Sequence, residues 1–532
     1  MFRLQTNMKR LAIVLLAMVA AHTAPGLQAV DQPATQTAPP PPPEQQAFDF
    51  DDVYRRAEQL AEQPYQPDRP ELPAVFRDMQ YDQYRDIRFR PDRNIWRDET
   101  LPFQLQLFSR GFLYVDRVKV SIIDQQVDQQ GARPLAFSHD LFDFGKNQVP
   151  AQLPLDMGFA GFRILYPMNR EDRLDEVAVF LGASYFRAIG QDQHYGVSAR
   201  GLAIDTGLEA PEEFPVFREF WVKKPGPDDT QITVFALLDS KRVTGAYRFL
   251  IRPGLQTVVE VKARIKMRDR VEKLGIAPLT SMFYHGENTD RFMDDFRPEV
   301  HDSDGLIIES GRGERIWRPA VNPLNLQITP FEVTNPRGFG LMQRDRNFDH
   351  YRDTEAVYHA RPSAWVETIG MWGQGRVELV EIPSPSERND NLVAFWTPAR
   401  SLDPGETLDF EYRLHFALNP EARLKGGRAM STSIGAGGTD VPDHSKRKFV
   451  IEFAGPSLKR LRPEATGIEP VCNTSSGEIT NAVAHHNSYA DGWRLFFELV
   501  PAEGQAADLR CFLRRGDDVL TETWVYKWVP SN

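Results

Sequence analysis

The stretch VVEVKARIKM, Val258–Met267, decides the fold class of this chain. From Val259 to Met267, apolar residues alternate strictly with charged ones. Because successive side chains of a β-strand point to opposite faces of a sheet, this pattern predicts a strand with one face on a core and the other in water. The stretch therefore predicts an antiparallel sheet that packs on a core through one side.

Segments on both sides of this stretch share the β-branched and aromatic composition of strands. They include VKVSII (Val118–Ile123), VAVFLGASYF (Val177–Phe186) and ITVFALL (Ile232–Leu238). Pro-Gly turn signals separate these segments, and strand patterns continue to about Phe416. Many strands with long inserted loops are typical of an all-β protein, so we predict a large antiparallel β-sandwich over residues 47–418.

One long helix is predicted near the N-terminus, within FDFDDVYRRAEQLAEQPY (Phe48–Tyr65). Its apolar residues recur at helical spacing. Asp51 or Asp52 is positioned to cap its first turn, and Pro64 is expected to end it.

The composition changes between Asn419 and His444, where the chain is rich in Gly and Ser and has no clear period. We predict a linker over residues 419–444. From Lys446 onward, short strand patterns recur at regular spacing, as in WRLFFELV and TETWVYKWV. About 90–100 residues with six or seven such strands are typical of an Ig-like β-sandwich, which we place at residues 445–532.

The N-terminus has the pattern of an export signal. A basic start precedes a short apolar run, Leu11–Ala21, and small residues lead to Ala29. We predict a Sec-type signal peptide over residues 1–29, because the apolar run is shorter than the roughly 20 residues that span a bilayer. The composition of residues 30–46 predicts a Pro-rich tether. The mature chain is therefore expected in the periplasm, without membrane insertion.

Charge and cysteine content exclude several classes of function. The net charge of −11 argues against a nucleic-acid partner, since phosphate binding needs a cationic surface. The two cysteines, Cys472 and Cys511, are too few for a Cys-rich zinc site, and the histidines show no ligand spacing. We expect no metal and no cofactor. The cysteines form either a disulfide, as an oxidising compartment permits, or two buried thiols in neighbouring strands.

Chemistry is concentrated in the window from Arg297 to Trp396. Asp302 and Asp304 lie near its start, and Glu387 and Asp390 near its end. Hydrolysis of a glycoside needs two carboxyl groups flanking the bond, one to protonate the leaving oxygen and one to activate water or attack. On an extended chain Asp302 and Asp304 would point to one face. The alternative is that Asp302 makes turn hydrogen bonds and that Glu387 and Asp390 are simply solvated.

Aromatic residues and arginines interleave between the two pairs of acids. Aromatic rings offer a flat face with a polar handle, and the Arg guanidinium is a rigid fork of donors, so together they suit a sugar. The alternative is a structured surface loop whose aromatic residues fold onto the sheet. We predict a sugar-binding groove with the candidate residues Tyr358, Trp365, Trp317, Tyr351, Arg361 and Trp372.

Several long motifs in this window resemble one known family. They include RPEVHDSDGL (Arg297–Leu306), NPRGFGLMQRDRNFDHYRD (Asn335–Asp353) and NDNLVAFWTP (Asn389–Pro398). These motifs strongly resemble the periplasmic glucan biosynthesis protein G/D family, and the similarity extends over essentially the whole mature chain. The resemblance favours the G branch, because the D branch usually carries a twin-arginine signal and no such pair precedes the apolar run here.

The resemblance implies a role in making osmoregulated periplasmic glucans, whose backbone is β-1,2-linked glucose. It also implies a mutarotase-like N-terminal supersandwich joined to a small Ig-like domain. Some members resemble inverting endo-β-1,2-glucanases that relay a proton through water or a substrate hydroxyl. Carried onto this chain, Asp390 is the acid, Asp302 the base and Glu387 a supporting acid, while Tyr358 covers the substrate.

Two functions stay open at this point. The first is endo-hydrolysis of β-1,2-glucan. The second is non-catalytic β-glucan binding, as a scaffold that assists an inner-membrane glucan glucosyltransferase. A purely structural envelope protein is a third class, which would have no affinity for glucan.

Overall fold

The computed structural model describes residues 48–124, 132–154, 156–420 and 426–530. The predicted signal peptide, 1–29, and the predicted tether, 30–46, lie outside these residues. Strands make up 48% of the structure and helices 8%, which confirms the all-β fold class. Within the described ranges, no helix combines the length and apolar character that crossing a membrane would require.

The helices are short. They are α1 (Phe50–Ala61), α2 (Ala74–Arg77), α3 (Tyr81–Arg85), α4 (Phe348–Tyr351) and α5 (Pro456–Lys459), with 3₁₀ turns at Pro91–Arg93, His139–Leu141 and Tyr358–Ala360. The first 25 strands in chain order are β1 (Arg88–Phe89), β2 (Gln104–Ser109), β3 (Lys119–Ile123), β4 (Arg133–Pro134), β5 (Phe142–Asp143), β6 (Phe159–Arg170), β7 (Arg173–Leu181), β8 (Tyr185–Ala188), β9 (Ser198–Arg200), β10 (Leu202–Ile204), β11 (Val216–Lys223), β12 (Ile232–Asp239), β13 (Val243–Arg252), β14 (Thr257–Met267), β15 (Leu274–Ser281), β16 (Phe283–His285), β17 (Val300–His301), β18 (Gly305–Glu309), β19 (Arg315–Pro319), β20 (Gln327–Thr334), β21 (Gly338–Met342), β22 (Ser363–Ile369), β23 (Gln374–Glu381), β24 (Leu392–Pro398) and β25 (Thr407–Ala417). The C-terminal strands are β26 (Arg428–Gly437), β27 (Asp443–Ala454), β28 (Ile468–Thr474), β29 (Glu478–Asn487), β30 (Gly492–Val500), β31 (Ala507–Arg515), β32 (Asp518–Val519) and β33 (Thr523–Trp528).

Two large sheets pack face to face to form the predicted sandwich. One runs in the order β2-β6-β7-β8-β9-β15-β24-β23-β20, with β10 also paired to β15. The other contains β19-β18-β21-β22-β25-β14-β13-β12-β11-β3-β4. Phenylalanines of the two sheets meet in the core, where Phe162 lies 5.0 Å from Phe220 and Phe180 lies 5.1 Å from Phe249, between ring centroids. The apolar faces of the strands therefore build one continuous core.

Strand β14 lies within the second sheet and has the predicted alternation. Val259, Val261, Ala263 and Ile265 are at most 1% exposed, and the charged residues between them are half-buried. Helix α1 covers part of the outer face, since the Lys262 ammonium lies 4.9 Å from the ring centroid of Phe50. The charged positions of the strand therefore lie beside a helix as well as solvent.

The predicted N-terminal helix is present, but its ends differ from the expectation. Asp49 caps it, because its side chain accepts hydrogen bonds from the backbone N–H groups of Asp51 and Asp52. Asp52 in turn accepts the N–H of Asp49, which completes a capping box. The helix ends at Ala61, before Pro64.

The C-terminal strands form a second, smaller sandwich. Its four-stranded sheet runs in the order β26-β27-β30-β29, and its other layer contains β28-β31-β33. That second layer joins the large sheet, because β33 pairs in parallel with β19 through Ile316–Thr523 and Trp317–Trp524. Strand β26 lies inside the residues predicted as a linker, 419–444, where it pairs with β27.

Candidate functional site

The two ends of the acidic window meet at one edge of the large sandwich. Asp302 directly follows β17, and its backbone N–H donates to the carbonyl of Met282 at 2.8 Å. On the neighbouring segment, the Asn391 side chain accepts the N–H of Phe283 at 2.8 Å and donates to the Phe283 carbonyl at 2.9 Å. Because Asp390 precedes Asn391, residues 282 and 283 hold the two candidate aspartates on adjacent segments.

Asp302 is a buried carboxylate, only 4% exposed, and it accepts a hydrogen bond from Nη1 of Arg361. Burial raises the pKa of Asp302, the Arg361 guanidinium lowers it, and the charge of Asp390 raises it, leaving it above its usual range. Arg187 lowers the same pKa, more weakly. Asp302 is therefore basic for a carboxylate, while a cation at hydrogen-bond distance favours its ionised form.

Asp390 has a different environment. It is exposed, at the end of the polar segment that precedes β24. Burial is the main cause of the raised pKa of Asp302 and of the Tyr185 hydroxyl, and the charge of Asp390 raises both further. Because its carboxyl group is exposed, Asp390 is accessible to a ligand from solvent, whereas Asp302 is buried.

Arg297 ties both ends of the window together. Its Nη1 donates to Asp353 and to Glu387, each at 2.8 Å, and its Nη2 donates to Asp295 at 2.8 Å. The Tyr358 hydroxyl donates to the same oxygen of Glu387 at 2.6 Å. Glu387 is therefore fixed by two donors beside Asp302 and Asp390, which suits a supporting carboxylate better than a freely moving one.

A row of polar side chains, some of them buried, extends from this edge across the outer face of the first sheet. On β8, Tyr185 and Arg187 alternate with the buried Phe186, and Nε of Arg187 donates to Oγ of Ser198 at 2.6 Å. Further along, Nε of Arg163 donates to Gln106 at 2.7 Å. This row adds donors and acceptors for hydroxyl groups next to the acidic residues.

Sequence reasoning missed several of these residues, including Arg297 and Arg187. Arg297 opens a quoted motif, yet nothing in its spacing indicates that it bridges Asp353 and Glu387. Arg187 lies more than one hundred residues before Asp302, so only the sheet topology brings it to the site. The one local signal was the alternation of Tyr185 and Arg187 with apolar residues on β8.

Asp304 does not share the environment of Asp302, which corrects the expectation that both point to one face. Its carboxylate accepts the backbone N–H groups of Arg344 and Asp345, and it lies 3.6 Å from Nε2 of His301. The reason is that β17 ends at His301 and β18 begins at Gly305, so the chain turns between the two aspartates. The Asp304 carboxylate therefore binds the backbone of the segment that follows β21.

Three predicted sugar-binding aromatics lie in packed interiors. Trp317 is 3% exposed and Trp365 8%, both in the core that they share with Trp524 of β33. Tyr351 is fully buried, with its ring centroid 5.1 Å from that of His301. A ring needs an open face to stack on a sugar, so this placement corrects the prediction for Trp317, Trp365 and Tyr351.

Trp372 lies at the other end of the sheet from the acids. It precedes β23, packs against Trp396 at 5.2 Å, and donates from Nε1 to the carbonyl of Glu411 at 3.3 Å. Asp390 lies beyond the opposite end of this strand pair, about 25 Å away along the strand direction at about 3.3 Å per residue. Trp372 is therefore not part of the group around Asp302, which corrects its assignment to the groove.

Tyr358 and Arg361 do lie beside the candidate acids. The Arg361 guanidinium carbon lies 4.4 Å from the ring centroid of Tyr358, which is 2% exposed. Tyr358 reaches the site through its hydroxyl, which contacts Glu387, while its ring is packed against protein. The structure thus brings together Asp302, Asp390, Glu387, Tyr358 and Arg361; their roles stay predictions.

Among the described residues, two clusters have the composition of metal ligands: Glu299–His301–Asp304 and Glu299–Asp345–His350. Both ring nitrogens of His301 already have partners, Gln343 at 2.9 Å and Glu299 at 2.8 Å. Burial alone would lower the pKa of His301, but Asp304 and Glu299 raise it to about 10. With both ring nitrogens engaged by Gln343 and Glu299, His301 acts here as a buried hydrogen-bonding residue.

Comparison with known proteins gives a consistent result over nearly the whole chain. Residues 48–528 match the family described as "Periplasmic glucan biosynthesis protein, MdoG". "Glucans biosynthesis protein G" of Ralstonia nicotianae is 48% identical over 492 residues, which cover 91% of this chain and 97% of that protein. The protein of the same name from Rhodopseudomonas palustris is 47% identical over 496 residues, which cover 93% and 96% of the two chains.

Proposed function

This chain belongs to the periplasmic glucan biosynthesis protein family, and from that premise we propose that it cuts the backbone of β-1,2-glucan internally, with inversion, during the synthesis of periplasmic glucans. The observation that carries the proposal is the pairing of an exposed Asp390 with a buried, arginine-bound Asp302 on adjacent segments. An inverting hydrolase needs two carboxyl groups with room for water between them.

The two carboxyl groups have environments that suit different tasks. Asp390 is reached from solvent and protonates the oxygen of the leaving glucosyl unit. Asp302 takes the proton of the attacking water through a second water or a substrate hydroxyl, because it is too buried to contact the sugar broadly. Arg361 favours the ionised form of Asp302, while burial keeps the pKa of this carboxylate raised and hence its basicity high.

Glu387 and the polar row complete the proposed site. Glu387 contributes negative charge near the developing positive charge of the sugar ring, and Arg297 and Tyr358 fix its position. Arg187 and Arg163 supply donors for hydroxyl groups along the sheet face. Linear β-1,2-glucan is the substrate that these elements are proposed to bind.

The decisive experiment compares the protein with its Asp390→Asn variant on purified linear β-1,2-glucan. We expect the unmodified protein to release reducing ends and Asp390→Asn to lose at least about 100-fold of that rate, since general acid catalysis contributes about 10²–10⁴-fold. Glucan affinity should be retained. Asp403→Asn, an exposed aspartate in the loop before β25, is the matched control and should keep full activity. Unchanged turnover in Asp390→Asn would contradict the assignment.

A second function is favoured by the names of the relatives, which refer to biosynthesis and not to hydrolysis. In this proposal the same groove holds glucan without cutting it and passes it between periplasmic steps, with an inner-membrane glucan glucosyltransferase as partner. Binding of glucan without any release of reducing ends by the unmodified protein would select this function over hydrolysis.

We also propose that the protein acts in the periplasm after cleavage of a signal peptide near Ala29. The family description supports this location. Sequencing the N-terminus of protein isolated from a periplasmic fraction tests it, with residue 30 expected as the first residue. An intact Met1 terminus on the periplasmic protein would contradict the cleavage.

A further inference from the structure

A buried ion pair connects the C-terminal sandwich to the large one. Nη1 of Arg344 lies 2.6 Å from Oε1 of Glu522, and Nη2 lies 3.1 Å from Oε2, so the guanidinium and the carboxylate meet through two parallel hydrogen bonds. The side chains are 2% and 0% exposed. Fork-to-fork pairs of this kind fix orientation as well as charge.

Further contacts hold this pair on both sides. Nη1 of Arg344 also donates to the carbonyl of Ala429 on β26 at 2.7 Å, and the N–H of Ala429 donates to Glu522 at 2.7 Å. The guanidinium carbon lies 3.5 Å above the ring of Trp317. Arg344 is thus fixed by residues from β19, from β26 and from the segment that leads into β33.

Arg344 is also where the active-site segment begins. Its own N–H and that of Asp345 donate to the carboxylate of Asp304, two residues after Asp302. The next residues, 345–361, form one excursion between β21 and β22. Within this excursion, Asp353 accepts a hydrogen bond from Arg297, Tyr358 donates to Glu387, and Arg361 donates to Asp302.

We propose that Glu522 and Arg344 are positioning residues, through which the C-terminal sandwich holds segment 345–361 in the geometry that the acidic site needs. Neither residue touches the substrate. Glu522 orients Arg344, Arg344 and Asp304 fix the start of the segment, and the segment sets Arg361 against Asp302. The kinetic part of this inference rests on the proposed hydrolysis, whereas the structural part does not.

The test uses the isosteric variant Glu522→Gln in the full chain, with Glu314→Gln as the matched control. Glu314 also bridges the two sandwiches, through ion pairing with Arg510 and a hydrogen bond from Thr523, but it is 40% exposed and lies away from segment 345–361. Hydrogen exchange by mass spectrometry reports the order of the segment, and kcat and KM on linear β-1,2-glucan report the site.

In Glu522→Gln we expect peptides from 345–361 to exchange at least about 10-fold faster, and kcat to fall about 10–100-fold with KM changed less than about 3-fold, since misplacing reacting groups by about 1 Å costs about that much. In Glu314→Gln both should stay within about 2-fold. Unchanged exchange of 345–361 in a folded Glu522→Gln protein overturns the proposal. Faster exchange supports it even where the unmodified protein cleaves no glucan, so the two proposals fail separately.

Where Glu522→Gln does not fold, native-state exchange of the unmodified protein in low urea decides instead. We expect amides of 345–361 to open together with those of β26 and β33. Opening of the segment at clearly lower urea than these strands would overturn the coupling.

Discussion

At the scale of single residues, the environment of Asp302 explains how one aspartate can differ from its neighbours. Burial and Asp390 raise the pKa of Asp302, and Arg361 opposes them. Asp304, two residues away, instead satisfies two backbone N–H groups. Spacing alone does not distinguish the two aspartates, and the turn between β17 and β18 gives them separate surroundings.

Burial and Arg361 shift the pKa of Asp302 in opposite directions, which leads to a prediction about pH dependence. In Arg361→Gln the lowering influence on the pKa of Asp302 is lost, so this pKa rises further. Because a base must be ionised to work, the acidic limb of the kcat/KM profile should move to higher pH, by about one unit for a partly buried pair. The pH profile of glucan cleavage measures this shift.

The same substitution has a consequence for stability. A carboxyl whose folded-state pKa is raised contributes stability below its unfolded pKa of about 3.9 and loses it as pH rises through the folded value. Arg361→Gln should therefore destabilise the fold near pH 7, by about 1.4 kcal/mol for each added pKa unit, and have a smaller effect near pH 3.5. Arg352→Gln, an exposed residue of the same segment, is the control. An unshifted profile with equal stability losses at both pH values would contradict the pairing.

At the scale of elements, the alternation of residues 259–267 predicted strand β14, and the helical spacing of apolar residues predicted helix α1, although its cap is Asp49 and not Asp51 or Asp52. The apolar face of β14 packs on a core that any second sheet could provide, so its own pattern determines its burial. Trp317 and Trp365 are the opposite case. Their neighbours in the sequence are partly polar, and apolar partners such as Trp524 come from a sandwich that begins at β26, more than sixty residues after Trp365 and more than one hundred after Trp317. No local pattern could indicate this burial.

The two cysteines give a prediction for the strand pair β28–β31. Cys472 and Cys511 are directly opposite in this antiparallel ladder. Opposed residues in such ladders have Cα atoms about 4.5 or 5.5 Å apart, within the range of a disulfide. We expect a disulfide in protein isolated from an oxidising compartment, worth about 3–4 kcal/mol for a loop of about 40 residues.

Mass spectrometry without reductant and melting curves with and without reductant measure this bond. The melting temperature should fall on reduction, and a Cys472→Ser, Cys511→Ser double variant should not respond to reductant. Two free thiols titrated in denatured protein from the periplasm would contradict the prediction.

At the scale of the whole molecule, the C-terminal sandwich shares both a sheet and a core with the large one. Strand β33 continues the large sheet through β19, and Ile307, Trp317 and Trp365 pack with Phe449 in one cluster. A role of the C-terminal strands in contacting a partner therefore cannot be separated from stability by deleting them. Substitutions at exposed residues such as Tyr489 and Val519 are the suitable test of such contacts.

The shared core makes the last prediction, for a chain truncated after Asn419. Truncation exposes Trp317 and Trp365, each of which buries roughly 200 Å². At about 25 cal/mol per Å², the two indoles lose about 10 kcal/mol, which is comparable to the whole stability of about 5–15 kcal/mol of a native protein. The truncated chain should be insoluble, or bind a hydrophobic dye and melt without cooperativity.

The matched control removes residues 1–46 instead, all of which precede the part of the chain that the structure describes. This control should leave a soluble protein that melts cooperatively. Solubility, dye binding and calorimetry of the two truncated chains measure the difference. A soluble large domain that unfolds cooperatively and binds β-1,2-glucan without residues 420–532 would show that the two sandwiches are independent. It would also remove the structural basis for coupling Glu522 to the acidic site, because Arg344 would then keep segment 345–361 in place without its partner.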